Sequence, residues 1–349
     1  MNITPDEFLE ICNDFKLGNL PTECPRKETI GLSELVNNDL RKSVNVLKEI
    51  DVKVFEILLE KIERIRELNL SVYLTLKEGG RIFLCGCGAT GRLSLTLENI
   101  WRNNLSKIKK KELKAQLKSD FVGKQGIKYE DSCIIDSPEE KVISFMAGGD
   151  IALIKSIEDF EDHPEFGERQ LIELGFSEKD LLISSTEGGE TSWVIGTSNY
   201  AAKEYKAGRV KRKPYFLYCN PDESLQNIKR SKEVLENEFI NKVNLFCGEM
   251  AITGSTRMQA STILQYFIGL AFNFDYEFSE EKKTLEANLL EDITYSERIK
   301  NKLHNFIKTL NSNDLEENLS ILIKLESELY FKSKKKALKK KKKRNRRKP

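Results

Sequence analysis

Five short apolar runs, each followed by room for a helix, constrain this chain more than any other feature. They lie at 81–85, 142–146, 181–185, 215–219 and 243–247. Each is nearly continuous in apolar residues instead of alternating, which is the pattern of a strand buried on both faces. The segments 93–104, 151–160, 193–207 and 226–235 are long enough for crossover helices. Strand–helix alternation of this kind predicts an α/β fold, a three-layer αβα sandwich with a five-stranded parallel sheet. Ligands of such sheets bind beyond the carboxyl ends of the strands.

Helical patterns flank the sheet region. Phe55, Leu58, Ile62, Ile65 and Val72 recur at helical spacing over 51–78, and Gly79-Gly80 closes that stretch. Further helices are expected at 258–272, 284–310 and 314–331. The resulting organisation is a helical leader at 1–50, a ligand-binding domain at 51–275, a helical extension or linker at 276–331 and a disordered polybasic tail at 332–349.

Three hydroxyl-bearing segments stand where helices should begin. Gly86-Cys87-Gly88-Ala89-Thr90-Gly91-Arg92 follows the first run, and Thr186-Glu187-Gly188-Gly189-Glu190-Thr191 follows the third. Thr253-Gly254-Ser255-Thr256-Arg257 opens the helical pattern at 258–272. Free backbone N–H groups, hydroxyl donors and the positive end of a helix dipole suit a phosphate. Each hydroxyl can equally serve as a helix N-cap. Three such turns in one chain point to a phosphorylated small molecule.

Composition removes several other classes. No apolar run approaches the roughly 18–20 residues of a membrane span. The N-terminus lacks the basic flank and apolar stretch of a signal peptide, so a cytoplasmic protein is expected. The seven cysteines (12, 24, 85, 87, 133, 219, 247) are scattered and odd in number, as reduced thiols would be. With only two histidines in the chain, Cys85 and Cys87 read as core residues, and neither a metal nor a cofactor is expected. Residues 332–349 hold 13 of the 57 Lys and Arg and no acid, which leaves 1–331 with 44 basic against 55 acidic residues. An acidic body argues against nucleic acid as a primary partner. The tail is read either as the mark of a frameshift or truncation, or as an arm attracted non-specifically to nucleic acid or an acidic surface.

Five motifs then occur in one order: Gly-Cys-Gly-Ala-Thr-Gly-Arg (86–92), Ala-Gly-Gly-Asp (147–150), Glu-Asp-Phe-Glu-Asp (158–162), Cys-Asn-Pro (219–221) and Thr-Gly-Ser-Thr-Arg-Met-Gln-Ala (253–260). Their order and spacing resemble the sugar isomerase (SIS) domain of N-acetylmuramic acid 6-phosphate etherases and glucokinase regulatory proteins. The resemblance covers roughly residues 28–275 and implies a flavodoxin-like five-stranded sheet. It implies a sugar 6-phosphate ligand held by Gly88, Ala89, Thr90 and Gly91, by Thr186, Glu187, Gly188 and Thr191, and by Ser255 and Thr256. Arg92 and Arg257 follow two of these segments and would either add charge to the site or pair with acids such as Asp150. The resemblance also implies a homodimer, because such domains complete their site with a second copy or a second domain. A protein partner would then meet the helices at 284–331.

The resemblance separates two activities. Glu161 matches one catalytic glutamate of the etherases and would be the base at C2 of the open-chain sugar. The second glutamate falls on Ile100. Glu98 is two residues away, a rotation of about 200° on a helix, so it should face elsewhere. The etherase pattern Ser-Gly-Arg-Thr-Pro is here Gly188-Gly189-Glu190-Thr191-Ser192, and Glu187 or Glu190 is a candidate for the missing acid. The first expectation is a phosphosugar-binding domain with a regulatory or sensing role in amino-sugar metabolism. The alternative is an etherase-like lyase, or a sugar-phosphate isomerase, that uses Glu161 as base.

Overall fold

The structure is a computed structural model and describes residues 4–6, 9, 12, 17–120, 138–155, 157, 159–252, 254–272, 292–315 and 317–325, with side chains outside 107–120 and 292–294. Cys133, Thr253, Glu158, the stretch 273–291 and the polybasic tail lie outside them.

Helices α1 (Leu32–Asn38), α2 (Leu40–Glu60) and α3 (Ile62–Lys77) precede strand β1 (Ile82–Gly86). Then come α4 (Gly88–Asp120), β2 (Val142–Met146), the single turn α5 (Ile151–Ile154), α6 (Pro164–Glu173) and β3 (Leu181–Ser185). The second half holds α7 (Ser192–Lys206), β4 (Tyr215–Tyr218), α8 (Asp222–Leu225), α9 (Lys229–Glu236) and β5 (Asn241–Asn244). Helices α10 (Gln259–Ala271) and α11 (Asp292–Leu310) follow, and the backbone is helical again at 313–315 and 317–325.

All ladders are parallel, in the order β2-β1-β3-β4-β5. From β1 the chain steps to β2 on one side and then to β3 on the other, which makes the carboxyl ends of β1 and β3 the switch point where such sheets bind ligands. The first two hydroxyl-bearing turns leave the sheet there. Along β1, Ile82 and Leu84 enter one core, while Phe83 and Cys85 enter the other. This is the period-two alternation of a pleated strand with helices on both faces. The first core contains residues of α2, α3, α4, α10 and α11, and the second those of α6, α7 and α9.

Several expected boundaries move. The helix expected at 51–78 is two helices broken at Lys61 (φ −99°, ψ 12°), and the first starts back at Leu40, capped by Asp39 accepting from Lys42 N–H at 3.0 Å. Leu58 and Ile62, on either side of the break, both enter the first core. The helix expected at 151–160 is only one turn. Lys155 is extended (φ −143°, ψ 127°) and ends it, Asp159 further on adopts φ 69°, and the crossover to β3 is made by α6. The fifth run pairs at 241–244, although Leu245 N–H still reaches Tyr218 O at 2.7 Å. Among the described residues no helix is long and apolar enough to cross a membrane, and no group of three or more His, Cys, Asp or Glu could hold a metal.

The six described cysteines are free thiols. Burial pushes the Cys85 thiol up to about 12, and burial likewise pushes Cys219 well up. Both should resist an aromatic disulfide reagent in the native protein near pH 8 and react once guanidinium unfolds it. Peptide mapping that finds either one labelled stoichiometrically before unfolding would contradict this burial.

Candidate functional site

The first turn is built by its own threonine. Thr90 is buried, accepts from Cys87 N–H at 2.9 Å and lies 2.9 Å from Cys87 O. That reciprocal bond closes the start of α4, a capping role. Gly88 supplies φ +52° for the entry, and Ala89 stands half-buried beside it. Gly91 lets α4 approach β2, since a Cβ there would lie 2.6 Å from Met146 Cβ. Arg92 spends its guanidinium on the carbonyls of Gly88 at 2.9 Å and Ala152 at 3.1 Å rather than on Asp150. Arg257 is exposed.

The second turn is held from three sides. Thr186 accepts from Gly189 N–H at 3.2 Å, and its hydroxyl lies 3.2 Å from that of Thr191, the residue preceding α7. Asn220, fully buried after β4, donates to Gly188 O at 2.8 Å. It also donates to Thr22 Oγ1 at 2.8 Å and accepts from Thr22 N–H at 3.1 Å. Residues from the amino-terminal segment therefore lie across the carboxyl edge of the sheet. Arg26 anchors that segment by donating to Cys247 O at 3.2 Å.

The third segment meets the second turn directly. Thr256 donates to Glu187 Oε2 at 2.6 Å, and Ser261 donates to Glu187 Oε1. Glu187 is buried, and each of its two carboxyl oxygens accepts a hydroxyl hydrogen bond. Ser255 is half-buried and gives its backbone N–H to Ile252 O at 3.0 Å.

Glu161 arrives from a different loop. The left-handed Asp159 turns the chain into the 3-10 turn Phe160–Asp162, and the Phe160 and Phe166 rings pack 5.3 Å apart against it. Glu161 is exposed and accepts from Cys87 Sγ at 2.9 Å. Burial first, and then the Glu161 carboxylate, push the Cys87 thiol up, which keeps it protonated as the donor. Ile100 is 46% exposed on α4. Glu98 is committed elsewhere, accepting from Ser144 N–H at 2.7 Å on edge strand β2 and pairing with Arg102 at 2.8 Å.

Glu190 has the least ordinary surroundings. Its carboxyl lies against Gly188, where a Cβ would collide with it. Its Oε2 is buried and accepts no hydrogen bond among the described residues. Burial pushes the carboxyl up. A hydrogen bond from its own backbone N–H, and then Arg230, oppose that shift, while Glu23 and Glu161 add to it.

Thus Cys87 joins the first turn to Glu161, Glu187 joins the second turn to the third segment, and Asn220 joins the second turn to the amino-terminal segment. Sequence reasoning read Cys87 as a core residue, whereas it is half-buried and donates to Glu161, and it assigned no role to Thr22, Asn220, Ser261 or Arg230. Asn220 carried a signal, a polar residue between an apolar strand and a proline. The others did not.

A sheet in this order, with hydroxyl-bearing turns gathered at its carboxyl edge, is the arrangement expected of the sugar isomerase-domain class. Comparison with known proteins narrows the class. The chain is 30% identical over 255 residues to the N-acetylmuramic acid 6-phosphate etherase of Lactococcus lactis subsp. cremoris strain SK11, covering 73% of this chain and 69% of that protein. It is 28% identical over 254 residues to the etherase of strain MG1363, with the same coverage. The etherase of Bacillus cereus strain ATCC 10987 is 28% identical over 246 residues, 70% of this chain and 67% of that protein. No protein-family model matches the chain. The chain belongs to the N-acetylmuramic acid 6-phosphate etherase family.

Proposed function

We propose that this chain binds a sugar 6-phosphate at the carboxyl edge of its sheet and does not cleave it, acting as a sensing or regulatory domain in amino-sugar metabolism. Membership in the etherase family supports the ligand class. Thr186, Thr191 and Ser255, with the N–H groups opening α4 and α7, are the donors proposed for the phosphoryl group, while Thr90 and Thr256 shape their turns through Cys87 and Glu187. Glu161 and the Cys87 thiol are proposed to meet sugar hydroxyls. The observation that carries the absence of turnover is Ile100, an apolar and half-exposed side chain where the reaction needs a second carboxyl. Elimination of lactate calls for one group to remove the C2 proton and another to protonate the leaving oxygen.

A second reading rests on Glu190. A carboxyl pushed up by burial keeps its proton to higher pH than an ordinary one, which suits a general acid. With Glu161 as base, Glu190 would then replace the missing acid in an etherase-type lyase. Proton NMR with N-acetylmuramic acid 6-phosphate in deuterated water separates the two. Ligand line broadening without lactate release, and without deuterium entering C2, is the expected result. Free lactate, or exchange at C2, would overturn the non-catalytic reading in favour of the lyase.

A further inference from the structure

We propose that Glu190 selects the protonation state of the ligand: the second turn takes the phosphoryl group together with one proton, shared between that group and the Glu190 carboxyl. The proposal rests on the phosphosugar reading above and adds the ionic form that is bound. Its basis is geometric. The carboxyl of Glu190 covers Gly188, in the side-chain direction of a residue of the phosphate turn. Its Oε2 is buried with no hydrogen-bond donor among the described residues. A buried acceptor left open costs free energy until a donor fills it. Asn220 and Ser231 do not serve it, because they donate to the backbone carbonyls of Gly188 and Gly189.

The charged groups around Glu190 come from several elements. Glu23 belongs to the 3-10 turn Pro21–Glu23, Glu161 to the turn at Phe160–Asp162, and Arg230 to α9. Glu187 stands in the same turn but is occupied by Thr256 and Ser261. Arg230 donates to the Glu190 backbone carbonyl at 2.5 Å. A phosphate monoester is mostly a dianion above its second pKa of about 6. Two fully ionised groups in contact at a buried position repel, as in any carboxylate pair sharing a site. One proton converts that repulsion into a short charge-assisted hydrogen bond. The proton comes from solvent, and no covalent bond forms or breaks.

The test is isothermal titration calorimetry with N-acetylmuramic acid 6-phosphate near pH 8, in Tris and in HEPES, whose ionisation heats differ. The wild type should take up about one proton per ligand bound, and its affinity should rise up to about tenfold per pH unit lowered toward pH 6. Glu190→Gln should take up almost none and bind more tightly than wild type at pH 8. Thermal unfolding provides a check on its fold. The folded carboxyl is raised above its unfolded value, so its stabilising contribution is present at acid pH and lost as pH rises through the folded value. Glu190→Gln should therefore be more stable than wild type near pH 8, and the difference should narrow below pH 5. Zero proton uptake by the wild type, or equal uptake by both proteins, overturns the inference while leaving the phosphosugar reading intact. Absence of binding by both proteins between pH 5 and 8 overturns the two together.

Discussion

Trp193→Ala lowers the unfolding free energy by about 3–5 kcal/mol, the range for removing a large aromatic side chain from a tightly packed core. Trp193 is fully buried at the start of α7, with its ring 5.5 Å from that of Phe145 on β2. It shares the second core with Phe83, Leu171 and Leu182, and α6 approaches closely enough that a Cβ on Gly167 would strike the Trp193 carbonyl. Neighbours held by that backbone contact cannot collapse far into the space an alanine leaves. Against a total stability of about 5–15 kcal/mol, the loss brings the protein close to unfolding at room temperature. Guanidinium denaturation read by far-ultraviolet circular dichroism measures it. Tryptophan fluorescence does not serve, because the chain has only two tryptophans. Trp193→Phe keeps most of the ring and should lose less. A loss below about 1 kcal/mol for the alanine variant would show that α7 is not fixed by this side chain. Since Thr191 immediately precedes α7, ligand affinity should fall along with stability.

The sheet was legible because its strands are buried on both faces. Continuous apolar runs at 142–146 and 181–185 leave no ambiguity, and the structure places β2 and β3 there. The fifth run was displaced because apolar residues continue past the ladder: beyond β5, Leu245 keeps one bond to Tyr218 O of β4, and both it and Cys247 are buried. The crossover after β2 was misplaced because the apolar residues at 151–154 look helical. Ile151 and Ile154 are instead 66% and 91% exposed, and the helix stops at Lys155, whose backbone is extended. At the site, spacing identified the turns but not their internal bonding. Thr90 closes its own helix, and Thr256 serves Glu187, each through contacts that no periodicity records. Glu190 could be recognised as an acid in a phosphate turn. Its carboxyl taking the space over Gly188 depends on that residue having no side chain, a relation set by the fold of the turn.

Asn220→Ala costs about 3 kcal/mol of stability and weakens sugar-phosphate binding at least tenfold. Three hydrogen bonds end on this side chain, joining Thr22 at one side to Gly188 O at the other, across 198 residues of sequence in the first case. Alanine deletes all three and leaves the Thr22 N–H and the Gly188 carbonyl to find other partners in a buried place. Each such group left unsatisfied costs about 1–3 kcal/mol. The amino-terminal segment keeps its Arg26 bond to Cys247 O, so it should loosen without detaching. The second turn loses the only side chain among the described residues that is recorded bonding the Gly188 carbonyl, and its donors would no longer be held in one arrangement. Asn220→Asp provides the sharper comparison. It keeps an acceptor for Thr22 N–H but removes both donors and places a charge against the Gly188 carbonyl. It should therefore be no more stable than the alanine variant near pH 7. Urea denaturation gives the stability difference, and ligand line broadening gives the affinity. If Asn220→Ala matches wild type in both, the network is incidental and the turn is held by Thr186 and Thr191 alone. If stability falls while affinity holds, the amino-terminal segment supports the fold without shaping the site.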